Sequence, residues 1–159
     1  MKLAINWHSR LLEFVYHKIE STSNPRIKHL VRLSKSSRYR GEMAHFIVEG
    51  KREIEAFYAA GRNFEEIYFS QRLANQKSSS SILTTLLESI PSFELSEDAF
   101  NKVSYRQHGS EFIGVAKTWD LKLRSPIDFD WKLVLVLDEV EKPGNLGAIL
   151  RTAEALGVD

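Results

Sequence analysis

The stretch from Asp138 to Gly157 holds the densest set of side chains able to do chemistry. It follows Leu133-Val134-Leu135-Val136-Leu137, an unbroken apolar run that reads as a buried strand ending at Asp138 and Glu139. Asn145 is a natural N-cap for a helix expected over Leu146–Leu156, with Gly157 closing it. Ligands of open α/β sheets bind beyond the C-terminal ends of strands, where helix N-termini present free N–H groups. In the helix, Leu146, Ile149, Leu150, Ala153 and Leu156 share one apolar face, and Gly147, Ala148, Arg151 and Ala155 share the opposite one. A solvated face normally carries several Lys and Glu. Small residues around one guanidinium instead leave room for a ligand or another backbone. The spacing fits neither the dinucleotide glycine pattern nor the P-loop. A plainer reading stays open on residue type alone: Asn145 as a cap, Gly147 as a packing glycine, Arg151 bridging to Glu154 or Glu141.

The second chemical feature is charge. Residues 21–40 contain Arg26, Lys28, Arg32, Lys35, Arg38 and Arg40, with Tyr39 among them and no acid. Cations at this density release counterions from a polyanion, and an interleaved aromatic offers a face to an unpaired base. A solvated helix face followed by a charged loop is the alternative for any single charge run. The formal net charge of +1 conceals this asymmetry: residues 1–62 hold 12 Lys/Arg against 6 Asp/Glu, and the remainder holds 10 against 15.

These features need elements to hold them. In 159 residues with 43% hydrophobic and 27% charged side chains there is room for one domain and part of another. The absence of Cys excludes a disulfide framework, a thiolate metal site and a cysteine nucleophile. His8, His17, His29, His45 and His108 show no metal-ligand spacing, so no metal is expected, and His45 reads as a satisfied structural residue. No signal peptide or membrane span is visible, and a cytoplasmic location is expected.

Trp7, Leu11, Phe14, Val15 and Ile19 have helical spacing, which predicts an amphipathic lead-in helix. Asn24-Pro25 should start a second helix, with Ile27, Leu30, Val31 and Ser34 inward and Lys28, Arg32 and Lys35 on a basic stripe. Ser34–Gly41 reads as a flexible basic loop. Strands are expected at Phe46–Val48, Glu66–Phe69, Phe93–Leu95 and Phe112–Ala116. Helices are expected at Lys51–Ala60, Ile82–Ile90 and Glu97–Val103, with Gly61 closing the first and Ser96 capping the last. Lys77–Ser81 suits a surface loop. Glu49, at a strand end, is expected to orient a basic side chain. The alternation argues for an α/β fold with a parallel or mixed sheet.

The segment Leu137-Asp138-x-Val140-x-x-Pro143-x-Asn145-Leu146-Gly147-Ala148-Ile149-x-Arg151-Thr152-Ala153-x-x-x-Gly157 strongly resembles the first motif of the SpoU/TrmH family of RNA ribose 2′-O-methyltransferases, in the SPOUT superfamily. Phe46-Ile47-Val48-Glu49-Gly50 and Ser96–Ala116, with Gly114, are similar to that family's substrate-binding domain, which resembles a kinked-RNA-binding ribosomal protein. Lys142 and Gly144 depart from the pattern, standing where an acidic and a larger residue are common.

The resemblance implies a three-layer-like RNA substrate-binding domain over residues 1–116, a linker over 117–131, and over 132–159 the first βα unit of a trefoil-knot methyltransferase domain. It implies S-adenosylmethionine as cofactor, held by motifs expected beyond Asp159, so the 159-residue chain itself is expected to be inactive. It further implies tRNA or rRNA as partner and a homodimer when intact. Asn145 and Arg151 are the implied catalytic residues. A guanidinium pKa above about 12 argues against a general base and for a grip on the phosphate beside the target ribose. Lys28, Arg32, Lys35, Arg38, Tyr39 and Arg40 are the candidate RNA-binding residues. Two other readings remain: a non-catalytic RNA-binding module, and a nucleotide-binding α/β enzyme.

Overall fold

A computed structural model describes residues 16–74, 81–105, 111–120, 122 and 131–158. They group into two compact units, one up to Trp119 and one from Asp120.

In the first unit, β1 (His17–Ile19), β2 (His45–Glu49), β3 (Glu66–Ser70), β4 (Ser92–Leu95) and β5 (Phe112–Lys117) form one mixed sheet in the order β1-β4-β3-β5-β2. The β1/β4 and β3/β4 pairs are parallel, and β3/β5 and β2/β5 are antiparallel. Side chains of a strand alternate between faces, and the two faces build two cores. Tyr68, Phe93, Leu95, Ile113 and Val115 meet Ile27, Leu30 and Leu33 of α1 (Pro25–Lys35) and Ala99, Phe100 and Val103 of α6 (Glu97–Val103). On the opposite face Ile67, Phe69, Phe112 and Ala116 meet Ile54 of α3 (Lys51–Ala59) and Leu83 and Leu86 of α5 (Ser81–Ser89). The result is the expected α/β fold, with helices above and below the sheet.

Local chemistry sets the helix ends. The Asn24 side chain accepts the Arg26 N–H at 2.9 Å, and Pro25 occupies the first helical position of α1. Ser96 Oγ accepts the Ala99 N–H at 3.3 Å and donates to the Glu20 carbonyl at 3.0 Å, which ties the start of α6 to the chain following β1. Gly50, at φ 114°, turns the chain between β2 and α3, and its N–H donates to Phe112 O at 2.9 Å.

The structure departs from the sequence reading at several places. Residues 7–15 of the expected lead-in helix lie outside the described residues. His17–Ile19 at its end is a strand, because pairing beside β4 satisfies its backbone while Ile19 enters the core. Leu33, not Ser34, completes the inward stripe of α1. The expected basic loop is helical from Ser37 to Met43 (α2). Ser36 ends α1 and also starts α2, its Oγ accepting the Tyr39 N–H at 3.1 Å. A short helix α4 (Gln71–Ala74) follows β3.

In the second unit the only regular element among the described residues is α7 (Pro143–Ala155). Leu133–Leu137 forms no strand and lies exposed, Val136 at 82%. Strand N–H and C=O groups need neighbouring strands, and residues 131–158 contribute none. The helix also begins three residues before the expected start. Proline's fixed φ suits the first helical position, so Lys142 takes the N-cap place and Asn145 falls inside the first turn, its N–H donating to Lys142 O at 3.0 Å. The expected N-cap role of Asn145 is therefore corrected. The C-terminal end agrees with expectation. Gly157 adopts φ 69°, its N–H donates to Glu154 O at 3.1 Å and the Val158 N–H to Ala153 O at 3.0 Å, a Schellman closure.

Candidate nucleic-acid interface and catalytic segment

The helix α1 is anchored by Ile27, Leu30 and Leu33, and this burial turns Lys28, Arg32 and Lys35 to the exposed side. Among the described residues no carboxylate lies within ion-pair distance of these three. Arg32 and Lys35 also stand in the last turn, where cations complement the helix dipole.

The three residues from α2 are more occupied. The Arg32 guanidinium lies over the Tyr39 ring at 3.8 Å, and the Tyr39 hydroxyl pairs with His29 Nδ1 at 2.8 Å. One face of Tyr39 thus carries a cation, and the ring packs partly against the core. Arg40 Nη1 donates to Leu33 O at 2.9 Å, closing a carbonyl left open at the end of α1. Arg38 is exposed and pairs with Glu42 one turn on, at 2.8 Å. The six residues lie on two consecutive helices, of which spacing predicts only the first, and packing decides that Lys28, Arg32 and Lys35 are the open set.

Two grooves flank this region. One is lined by Pro25, Arg26, His29, His45, Glu65 and Glu66, with Val115 at its floor. Its charges are mutually paired. Arg26 donates to Glu66, which also accepts from the Tyr68 hydroxyl, while His45 Nε2 meets Glu65 at 2.6 Å and Lys117 meets it at 2.5 Å. His45 is the satisfied structural residue expected. Burial raises the Tyr68 hydroxyl well above its ordinary pKa, and the Glu66 contact adds to this. Burial lowers His29, and nearby cations act in the same direction against Glu66. Lys117 and His45 hold Glu65 below the ordinary carboxylate value.

The other groove lies between the end of α1, α2 and β2, with Leu33, Arg40, Phe46, Ile47, Glu49 and Tyr105 among its walls. Glu49 accepts the Ser104 hydroxyl and the Tyr105 N–H, the latter at 2.9 Å. Tyr105 is 87% exposed. Sequence reading passed over it because an isolated tyrosine just after a short helix has no periodicity; an aromatic in a polar connection was the only available signal.

Asn145 and Arg151 are both exposed on α7. Six positions separate them, about 9 Å along the axis and roughly 120° around it, so the helix presents them on different sides. Gly147, Ala148 and Ala155 leave the Arg151 side free of long neighbours, and the Thr152 hydroxyl turns back to Ala148 O at 3.1 Å. Among the described residues no group of His, Asp or Glu could hold a metal ion, and no helix is long and apolar enough to cross a membrane.

Residues 24–114 match the MRM3-like substrate binding domain. The chain is 30% identical over 142 residues to the 23S rRNA (guanosine(2553)-2′-O)-methyltransferase RlmP of Bacillus subtilis, covering 89% of this chain and 52% of the relative. It is also 30% identical over 141 residues to an uncharacterized tRNA/rRNA methyltransferase of Synechocystis, slr1673, covering 89% and 50%. Among solved structures, an RNA 2′-O ribose methyltransferase superposes with a TM-score of 0.69 at 32% identity, over 89% of this chain and 53% of that one. The SpoU methyltransferase AviRb of Streptomyces viridochromogenes, solved with AdoMet, shares the fold with a TM-score of 0.60 at 19% identity, over 85% and 49%. The chain spans about half the length of these relatives. The SpoU/TrmH resemblance read at residues 137–157 agrees with them.

Proposed function

Since the chain belongs to the MRM3-like substrate-binding domain family through residues 24–114, we propose that its first unit holds RNA for methylation. The observation that carries this reading is the α1 stripe. Lys28, Arg32 and Lys35 are exposed together, with no carboxylate within ion-pair distance among the described residues. Apolar anchoring fixes three long cations at helical spacing, which suits successive phosphates of one strand. The substrate class is tRNA or rRNA, the classes named for its relatives.

In the proposal, residues 1–116 form the RNA-holding domain, 117–131 the linker and 132–159 the opening of a methyltransferase domain. The intact protein transfers a methyl group from S-adenosylmethionine to a ribose 2′-hydroxyl, as a cytoplasmic homodimer. That cofactor supplies the electrophilic methyl. Arg151 grips the phosphate beside the target ribose and stabilises the alkoxide as it develops, with Asn145 shaping the same centre. The exposed, small-residue side of α7 around Arg151 leaves the approach this role requires. The 159-residue chain alone is inactive in this reading.

A salt titration of RNA binding tests the first unit. With the three stripe cations each on a phosphate, log affinity should fall against log salt with a slope of about −2.1 for single strands. A salt-independent complex, or no complex, overturns the reading.

A further inference from the structure

We infer that the groove bounded by Leu33, Arg40, Phe46, Ile47, Glu49 and Tyr105 takes one unpaired nucleobase of a single-stranded RNA segment, with the Tyr105 ring as its stacking face. The inference rests on the RNA-holding reading above and adds the site that distinguishes single-stranded from paired RNA.

Three observations carry it. First, Tyr105 is 87% exposed at the border of the groove, so its ring is open to a flat partner. Tyr39, the aromatic singled out by spacing, already has Arg32 over one face at 3.8 Å. Second, the open ring stands on a fixed backbone. Glu49 accepts the Tyr105 N–H at 2.9 Å and the hydroxyl of Ser104 beside it, so the sheet edge sets where the tyrosine stands before any ligand arrives. Prior ordering lowers the entropy cost of binding.

Third, the polar groups suit a base with its phosphate outside. Arg40 uses Nη1 on the Leu33 carbonyl, which holds the planar cation at the groove while its other donors remain for a ribose–phosphate. Leu33 and Arg40 also place the groove beside the last turn of α1, which carries Arg32 and Lys35. A strand running along the basic stripe therefore reaches the groove without a break in charge. Paired bases keep their faces stacked on each other, so a duplex cannot present one to Tyr105.

The test measures fluorescence anisotropy of the 159-residue chain with a labelled single-stranded RNA and with a duplex of equal length. Tyr105→Ala should weaken single-strand binding by about tenfold, leaving duplex binding and the salt slope unchanged. Tyr105→Phe should keep wild-type affinity, since the ring and not the hydroxyl stacks. A 2-aminopurine in the single strand should lose emission on binding wild type and Tyr105→Phe, but not Tyr105→Ala. Equal affinity of Tyr105→Ala and wild type, or equal loss on the duplex, overturns the inference while leaving the RNA-holding reading intact. If Lys28, Arg32 and Lys35 also prove irrelevant and the wild type binds no RNA, both fall. Circular dichroism of each variant confirms that it is folded.

Discussion

Gly114 and Phe64 occupy adjoining space so closely that a Cβ on Gly114 would lie 2.4 Å from Phe64 Cε1 and 2.5 Å from Cδ1. Gly114 sits in the middle of β5, pairing with both β2 and β3, and Phe64 is buried in the core beneath it. The ring fills the place where a side chain would otherwise stand. Gly114→Ala should destabilise the fold by about 1–3 kcal/mol through overpacking, measured by urea unfolding. Adding Phe64→Leu should recover part of this loss, because the two sites share one volume. Strict additivity of the two changes would contradict the contact.

The caps give a second prediction. Asn24→Ala removes the acceptor for the Arg26 N–H, and Ser96→Ala removes both the acceptor for Ala99 and the donor to Glu20. Each should cost about 1 kcal/mol, with Ser96→Ala the larger because it also releases the tie to the end of β1. Chemical denaturation of the two variants orders them.

Acid should weaken the fold through His29. Its folded-state pKa lies below the unfolded value near 6.5, chiefly because burial disfavours the imidazolium. The unfolded chain therefore binds more protons across this window, and stability should fall as pH drops through about 6.5 and below. Glu65 adds in the same direction at lower pH: its folded pKa is depressed by Lys117 and His45, so its contribution is lost as pH falls through that depressed value. His29→Gln should flatten the slope between pH 7 and 5.5 in melting temperature; an unchanged slope would assign the effect elsewhere.

Arg32 and Arg38 should behave differently in RNA binding, though both are arginines of the same basic run. Arg38 is engaged with Glu42, whereas Arg32 has no such carboxylate among the described residues and is held in place by the Tyr39 ring. Arg32→Ala should reduce the salt slope by about 0.7, while Arg38→Ala should leave it nearly unchanged. Equal effects would mean that the Arg38–Glu42 pair opens on binding.

Arg151→Ala in the intact protein should abolish methyl transfer while RNA affinity falls only modestly. Asn145→Ala should lower turnover without destabilising α7, because Asn145 does not cap that helix. A methyl-transfer assay beside a thermal melt separates the two effects, and unchanged turnover in Arg151→Ala would reject its role.

Most of the fold was legible because local signals agreed with packing. Asn24-Pro25, Ser96, Gly61 and Gly157 mark helix ends through backbone chemistry that acts within a few residues, and the strands at 66–69, 93–95 and 112–116 bury apolar side chains while that at 46–48 half-buries them. Where the reading failed, distant partners decided. Ile19 has helical spacing with Phe14 and Val15, yet β4 recruits it as a strand. Ser34–Gly41 looks like a polar loop until Ser36 joins two helices and Arg40 returns to Leu33. The candidate site divides the same way: the α1 stripe follows from spacing, while Tyr105 and its tie to Glu49 join residues 56 positions apart.

The sequence by itself determined the family resemblance, the basic first part, the caps at Asn24 and Ser96 and the closure at Gly157. Only the tertiary structure decided which cations stay open, that Tyr39 carries Arg32, and that Gly114 yields its space to Phe64. The reason is physical. Propensity, capping and periodicity act along the chain within a turn or two, whereas burial, ion pairing and ring contacts depend on which distant residues the folded sheet brings together.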